Sequence, residues 1–177
     1  ANQTQPITTP DGNILLFNGE MYDSREKNDT VWLGKMLDKY GTSILEWSDW
    51  HGSLAYYNPK AQSLHLIRDQ FGTKPLWWKY DGEHFEFSTS CKSFLHKELE
   101  TEERKFGSMG DECIWKGIHK VEPGGLLHFD LKKNFKLTRR NLWNWLTFRK
   151  QPFNKEEFIE RTKESILKVA NYGNSDK

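Results

Sequence analysis

Residues 16–22 read Leu16-Phe17-Asn18-Gly19-Glu20-Met21-Tyr22. Just before them, Thr8-Thr9-Pro10-Asp11-Gly12-Asn13 is dense in turn formers, and Ile14-Leu15-Leu16-Phe17 is an apolar run of the length of a buried strand. The strand is predicted to stop at Asn18-Gly19. A buried strand ending on Asn-Gly-Glu exposes an amide side chain, a flexible backbone N–H and a carboxylate together. The Asn18 side-chain N–H and the Gly19 N–H can both point at one developing oxyanion, and Gly permits an approach that a Cβ would block. Glu20, with Asp29 further along, could hold the α-amino group of an amino acid. Asn-Gly is also the commonest two-residue hairpin signal, so these residues alone leave an ordinary turn open.

Working outward, Asn28 or Asp29 can cap a helix in which Trp32, Leu33, Met36, Leu37 and Tyr40 recur at helical spacing. Gly41 stands where a helix C-terminus favours it, so a helix is predicted from Asp29 to Tyr40. Short strands follow at 53–57, 64–68, 75–80, 84–87 and 126–130, separated by turns such as Asn58-Pro59 and Asp81-Gly82. The charge-rich run 98–105 reads as a solvated helix or loop, with 107–111 extending the loop. After Leu131, basic residues alternate with Trp143, Trp145 and Phe148 with no clean period, and this segment reads as a linker. Asn154 and Glu157 then make a capping box for an amphipathic helix carrying Phe158, Ile159, Thr162, Ile166 and Val169-Ala170 and ending at Tyr172-Gly173. Strands grouped before helices, without regular alternation, predict an α+β fold built on antiparallel sheets.

Composition narrows the function classes. With 26 Lys plus Arg against 25 Asp plus Glu, the net charge is +1, and nothing global suggests nucleic acid or acidic lipid as a partner. The aromatic and basic residues between Arg139 and Lys150 could serve RNA or a membrane surface, but a linker packed between domains has the same composition. No run approaches the roughly 18 to 20 apolar residues of a membrane span, and no signal peptide is evident, so a cytoplasmic protein is expected. Cys91 and Cys113 form no CxxC pair and are expected to be reduced thiols. Six His, at 51, 65, 84, 96, 119 and 128, fall in no metal-binding pattern, and no metal is expected. The first residue is Ala within an unremarkable polar stretch, so it is not expected to be the first residue of the gene.

Several segments together resemble the asparagine synthetase family. Leu16 to Tyr22 is similar to its "(V/F)NGEIYN" signature, and Ile67-Arg68-Asp69-Gln70-Phe71-Gly72-Thr73-Lys74-Pro75-Leu76-Trp77-Trp78 to its "ARDRFGIKPLYY". Asn28-Asp29-Thr30 resembles "SDTE", Gly52-Ser53-Leu54-Ala55-Tyr56 resembles "GMFAFA", and Val121-Glu122-Pro123-Gly124-Gly125 resembles "LPPG", all in the family's order. The resemblance covers roughly residues 3–131. It implies a class II glutamine amidotransferase domain at 1–131, an αββα sandwich of the N-terminal-nucleophile hydrolase type that is incomplete at its N-terminus. A linker would follow at 132–153, and the first helix of a synthetase domain at 154–177. It further implies that Asn18 and Gly19 form an oxyanion hole, that Glu20 and Asp29 bind the head group of L-glutamine, and that Arg68, Asp69 and Gly72 are structural, Arg68 and Asp69 as a buried paired brace. The implied partner is a synthetase domain. ATP and Mg are expected only there, since the chain ends before any "SGGxDS" loop.

The departures carry equal weight. Family members begin with Cys-Gly and use the α-amino group of that Cys as the base for its own thiol, a device an interior Cys91 or Cys113 cannot reproduce. The "RGPD" segment, whose Arg would clamp the glutamine carboxylate, is also not in the sequence. The short interval from Asn18 to Asp29, and Ser90 where "ASE" motifs carry Glu, resemble the asparagine synthetase domain-containing proteins. Two readings follow: the glutaminase portion of an asparagine-synthetase-like amidotransferase, predicted inactive by itself, or a non-catalytic remnant acting as a scaffold or amino-acid sensor.

Overall fold

The computed structural model describes residues 4–94, 115–143 and 152–171. A unit comprising residues 1–143 holds every strand found among the described residues, and residues 144–177 form a second unit.

In the first unit, β2 (Ile14–Met21) pairs with the two-residue β1 (Ile7–Thr8) on one side and with β3 (Trp50–Asn58) on the other. The sheet continues through β4 (Ser63–Arg68), β8 (Gly125–Asp130) and β9 (Lys136–Asn141), giving the order β1-β2-β3-β4-β8-β9 with every pairing antiparallel. A smaller antiparallel sheet has the order β6-β5-β7, from β5 (Trp77–Tyr80), β6 (Phe85–Ser88) and β7 (Ile118–Lys120). Two helices, α1 (Asp29–Tyr40) and the short α2 (Ile44–Trp47), complete it.

The alternation of β2 sets the layers. Leu15, Phe17 and Met21 pack with Trp32, Leu33 and Leu37 of α1 and Ile44 and Leu45 of α2, while Leu16 on the other face joins Ala55, Leu66, Trp78 and Phe129 between the two sheets. Each fully buried aliphatic side chain contributes about 1.5–3 kcal/mol, so two cores on opposite faces of one sheet fix its register. Trp77, Ile118 and Phe94 cover the far side of the small sheet. The result is a layer of helices, a six-stranded sheet and a three-stranded sheet, an α+β architecture of antiparallel sheets as the sequence predicts.

The helix boundaries have local causes. The Asn28 side chain accepts from the Val31 N–H at 3.1 Å as an N-cap, and Gly41, at φ 64°, closes the helix by donating to the Leu37 carbonyl. α1 therefore spans the predicted residues.

Two expectations need correction. The strand predicted to stop at Asn18-Gly19 runs on to Met21, with Asn18 opposite Ser53, Gly19 opposite Gly52 and Glu20 opposite His51. Asn18-Gly19 is thus mid-strand, not a hairpin turn, because β3 supplies a partner through that point. Residues 136–141, read as part of a linker, form β9 at the sheet edge. Five of its six residues are exposed and three are basic, so no alternation marks it; the composition is that of an edge strand protected by charge.

The second unit contains α3 (Lys155–Asn171), capped by the Asn154 side chain, which accepts from the Glu157 N–H at 3.1 Å. Its predicted end at Tyr172-Gly173, the segments 98–105 and 107–111, and Cys113 lie outside the described residues. Among the described residues no helix is long and apolar enough to cross a membrane.

Candidate functional site

The site is built around the contact of two glycines. Gly52 donates its N–H to Asp69 Oδ2 at 2.9 Å, and its carbonyl accepts from the Asp69 N–H at 3.0 Å. Both main-chain groups of Gly52 therefore turn away from β2. That makes Gly19–Gly52 a non-hydrogen-bonded pair of the ladder, the kind that brings Cα atoms close and sends the Gly19 N–H to the other edge of β2. The approach leaves no room for a side chain: a Cβ on Gly19 would lie 2.0 Å from the His51 carbonyl oxygen, and one on Gly52, whose φ is +140°, 2.4 Å from that of Asn18.

Along that edge the N–H groups of Phe17, Gly19 and Met21 follow one another at the strand period. Phe17 donates to Gln5 Oε1 at 2.6 Å and Met21 to Asp29 Oδ2 at 3.2 Å. The Gly19 N–H between them has no partner among the described residues. The Asn18 side chain, exposed and also without a hydrogen bond among the described residues, projects from the face that looks towards the small sheet. A cleft of about 370 Å³ opens there, lined by Gln5, Asn18, Ser53, Leu76, Phe87 and Thr89 among others. An unpaired backbone N–H beside an unpaired carboxamide, above a cleft, can hold a carbonyl oxygen as it gains charge.

Glu20 is exposed on the same face as Asn18, two residues further along. Across from it, His51 Nδ1 lies 2.9 Å from the Tyr22 hydroxyl, and burial, then Glu20 and Asp49, raise the Tyr22 pKa. Asp29, at the first turn of α1, is brought to the end of β2 by its bond to the Met21 N–H. The structure therefore gathers Asn18, Gly19, Glu20 and Asp29 at one end of β2, although Asp29 belongs to another element.

Arg68, Asp69 and Gly72 stand behind this edge. The Asp69 carboxylate, 1% exposed, accepts from the N–H groups of Gly52, Phe71 and Thr73 and from the Thr73 hydroxyl, the last at 2.6 Å. Its carbonyl accepts from Gly72 and Gly124. Arg68 donates to the carbonyls of Lys74 at 2.8 Å, Val121 at 2.9 Å and Gly72. Burial lowers the Arg68 pKa and the neighbouring Asp69 acts the other way. The expected pairing of Arg68 with Asp69 is thus replaced by separate duties: Arg68 ties carbonyls together and Asp69 ties N–H groups. Gly72 has φ 64°, and a Cβ there would meet the Arg68 guanidinium carbon at 2.8 Å.

Two contributors escaped the sequence reading. In sequence Gly52 is only one residue of a motif, and its glycine requirement appears once Gly19 faces it. Gln5 carried no signal, since a side chain that bonds a strand edge across 12 residues has no periodicity to reveal it.

Comparison with known proteins identifies the family. The model of the glutamine amidotransferase domain matches residues 1–143. The chain is similar to the putative asparagine synthetase (glutamine-hydrolyzing) 2 of Methanocaldococcus jannaschii, with 26% identity over 176 residues, covering 86% of this chain and 34% of that protein. It is also similar to the asparagine synthetase domain-containing protein 1 of Homo sapiens, with 31% identity over 128 residues, covering 67% of this chain and 19% of that protein. The chain thus spans about a third of the length of the first of these relatives and about a fifth of the second. Among solved structures, glutamine phosphoribosylpyrophosphate amidotransferase from B. subtilis, complexed with ADP and GMP, shares the fold, with a TM-score of 0.55 at 13% identity over 78% of this chain and 32% of that one. The antiparallel layers, the motifs on β2 and β4 and the match over residues 1–143 lead to one conclusion: this chain belongs to the glutamine amidotransferase domain family, as found in asparagine-synthetase-like proteins.

Proposed function

We propose that residues 1–143 bind L-glutamine and stabilise the oxyanion formed when its side-chain amide is cleaved, as the glutaminase portion of an amidotransferase that supplies ammonia for ATP-dependent asparagine formation. The observation that carries this reading is the Gly19 N–H at the edge of β2 beside the carboxamide of Asn18, neither with a hydrogen-bond partner among the described residues. A thiolate attacking the glutamine amide carbon pushes an electron pair onto the carbonyl oxygen, and these two donors receive it. Collapse of that intermediate expels ammonia, once the departing nitrogen is protonated, and leaves a thioester, which water hydrolyses to glutamate. In this reading Glu20 and Asp29 hold the ammonium of the substrate.

Cys91 does not suit the role of nucleophile. It sits in a 3-10 turn, and as an interior residue it lacks the α-amino group that serves as base in the resembled family. The attacking thiol is assigned to an N-terminal Cys of the kind the resembled family carries. No cofactor is assigned to residues 1–177; ATP and Mg belong with a synthetase domain, the partner that the longer relatives suggest.

The test is a titration of residues 1–177 with L-glutamine, followed through the Gly19 and Asn18 amide signals. Saturable shifts with L-glutamine and none with L-alanine are expected, with no ammonia released above the uncatalysed rate. Turnover that disappears in Cys91→Ser would overturn the assignment of the nucleophile, and absence of any shift at Gly19 would overturn the site. Saturable binding with no turnover when a Cys-Gly-containing segment is fused ahead of residue 1 would favour a sensing module.

A further inference from the structure

Beyond its pairing with β1, the edge of β2 presents three outward N–H groups, and two of them are occupied by side chains from elsewhere. At Phe17 the occupant is the carboxamide of Gln5, and it makes both bonds that a neighbouring strand residue would make: Nε2 donates to the Phe17 carbonyl at 2.7 Å, and Oε1 accepts from the Phe17 N–H at 2.6 Å. The register of β1 on β2, Ile7 to Leu15 and Thr8 to Ile14, would bring residue 5 opposite Phe17 if the strand continued. It does not continue in main-chain form. β1 has only two residues, and Gln5 and Pro6 form a bend ahead of it. A strand that kept pairing through Phe17 would next have covered Gly19.

We infer that Gln5 is a positioning residue for the oxyanion donor: its side chain takes the place of a strand residue at Phe17 and keeps Phe17 bonded, so that the next outward N–H, that of Gly19, is held in strand geometry and, without a partner among the described residues, is available to a ligand. This rests on the proposed reading of Asn18 and Gly19 and names the group that sets their geometry. Three features support it. Gln5 lines the same cleft as Asn18, so it borders the space a ligand would enter. The Asp29 bond to Met21 holds the edge on the far side of Gly19, making Gln5 and Asp29 a bracket around one open donor. On the inner side, Gly52 is turned away by Asp69, so the orientation of Gly19 has no ladder bond of its own to fix it and depends on its neighbours in the strand.

The experiment uses residues 1–177 with the variants Gln5→Leu, which removes both bonds, and Gln5→Glu, which keeps the acceptor for the Phe17 N–H and loses the donor. Amide exchange at Phe17 and Gly19 is measured without ligand, and L-glutamine is titrated while the Gly19 amide shift is followed. In Gln5→Leu, exchange at Phe17 is expected to accelerate tenfold or more, the glutamine-induced Gly19 shift to shrink, and the Kd to rise about five- to tenfold, the size of one or two lost hydrogen bonds. Gln5→Glu should recover part of each. A mere loss of stability would lower the Tm without changing the Gly19 shift at saturation.

Unchanged Phe17 exchange in both variants, or unchanged Kd and Gly19 shift in Gln5→Leu with wild-type binding intact, would overturn the inference. If wild type itself gives no Gly19 shift, the reading of the site fails, and Phe17 exchange still decides whether Gln5 bonds that edge. Should Gln5→Leu not fold, the partial effect of Gln5→Glu carries the decision.

Discussion

The two segments with the strongest motif character, 68–74 and 18–20, meet at the Gly19–Gly52 contact and use their polar groups in opposite ways. In 68–74 the Asp69 carboxylate and the Arg68 guanidinium are committed to backbone partners, and both residues are buried. In 18–20 the Asn18 carboxamide, the Gly19 N–H and the Glu20 carboxylate point outward and lack hydrogen bonds among the described residues. One segment provides rigidity, and the other is the receiving face of the proposed site. A site that must bind without rearranging needs both, because an unsupported open donor would turn to solvent or to a neighbour.

Substitution should separate the two. Asp69→Ala leaves three N–H groups and a hydroxyl without their acceptor in a buried turn, and we expect a loss of about 3–5 kcal/mol in denaturant unfolding, from unsatisfied groups costing about 1–3 kcal/mol each. A loss under 1 kcal/mol would break the contrast at its rigid end. Gly19→Ala places a Cβ against the His51 carbonyl and should cost about 1–3 kcal/mol or more while abolishing glutamine binding, read by thermal melt and titration.

Acid probes β4, the strand that leads into the brace. His65 lies 2.9 Å from His128, Nε2 to Nδ1, and its ring neighbours Tyr56; burial first, then His128, lower its pKa to about 4. An unfolded His titrates near 6.5, so the unfolded chain takes up the proton first. Stability that is full above about pH 6.5 should therefore decline as pH falls towards 4, by about 1–3 kcal/mol in total. His65→Phe should flatten that slope in unfolding curves measured across this range. Smallest in stability is Asn18→Ala, expected to stay within about 0.5 kcal/mol of wild type because the side chain is exposed and unbonded. In the protein carrying the nucleophile, however, it should lower glutamine turnover about 100- to 1000-fold. Equal losses of stability in Asn18→Ala and Asp69→Ala would erase the distinction.

Local chemistry by itself determined much of this protein. The cap at Asn28, the helical spacing through Tyr40 and the stop at Gly41 define α1, and turn formers around short apolar runs locate β3 to β6 and β8, because these signals act within a few residues. The motifs on β2 and β4 identify the family and the residues worth watching. What only the tertiary structure decided are pairings between distant positions. Asn18-Gly19 became strand rather than turn because β3 extends opposite it. Gly52 became indispensable because Gly19 faces it, and Asp69 became its holder rather than a partner of Arg68. Gln5 reached Phe17 through a side chain, and β9 joined the sheet without any apolar alternation. Hydrogen bonds across a sheet edge are set by which strands come to lie side by side, and a single residue's neighbours in sequence carry no record of that.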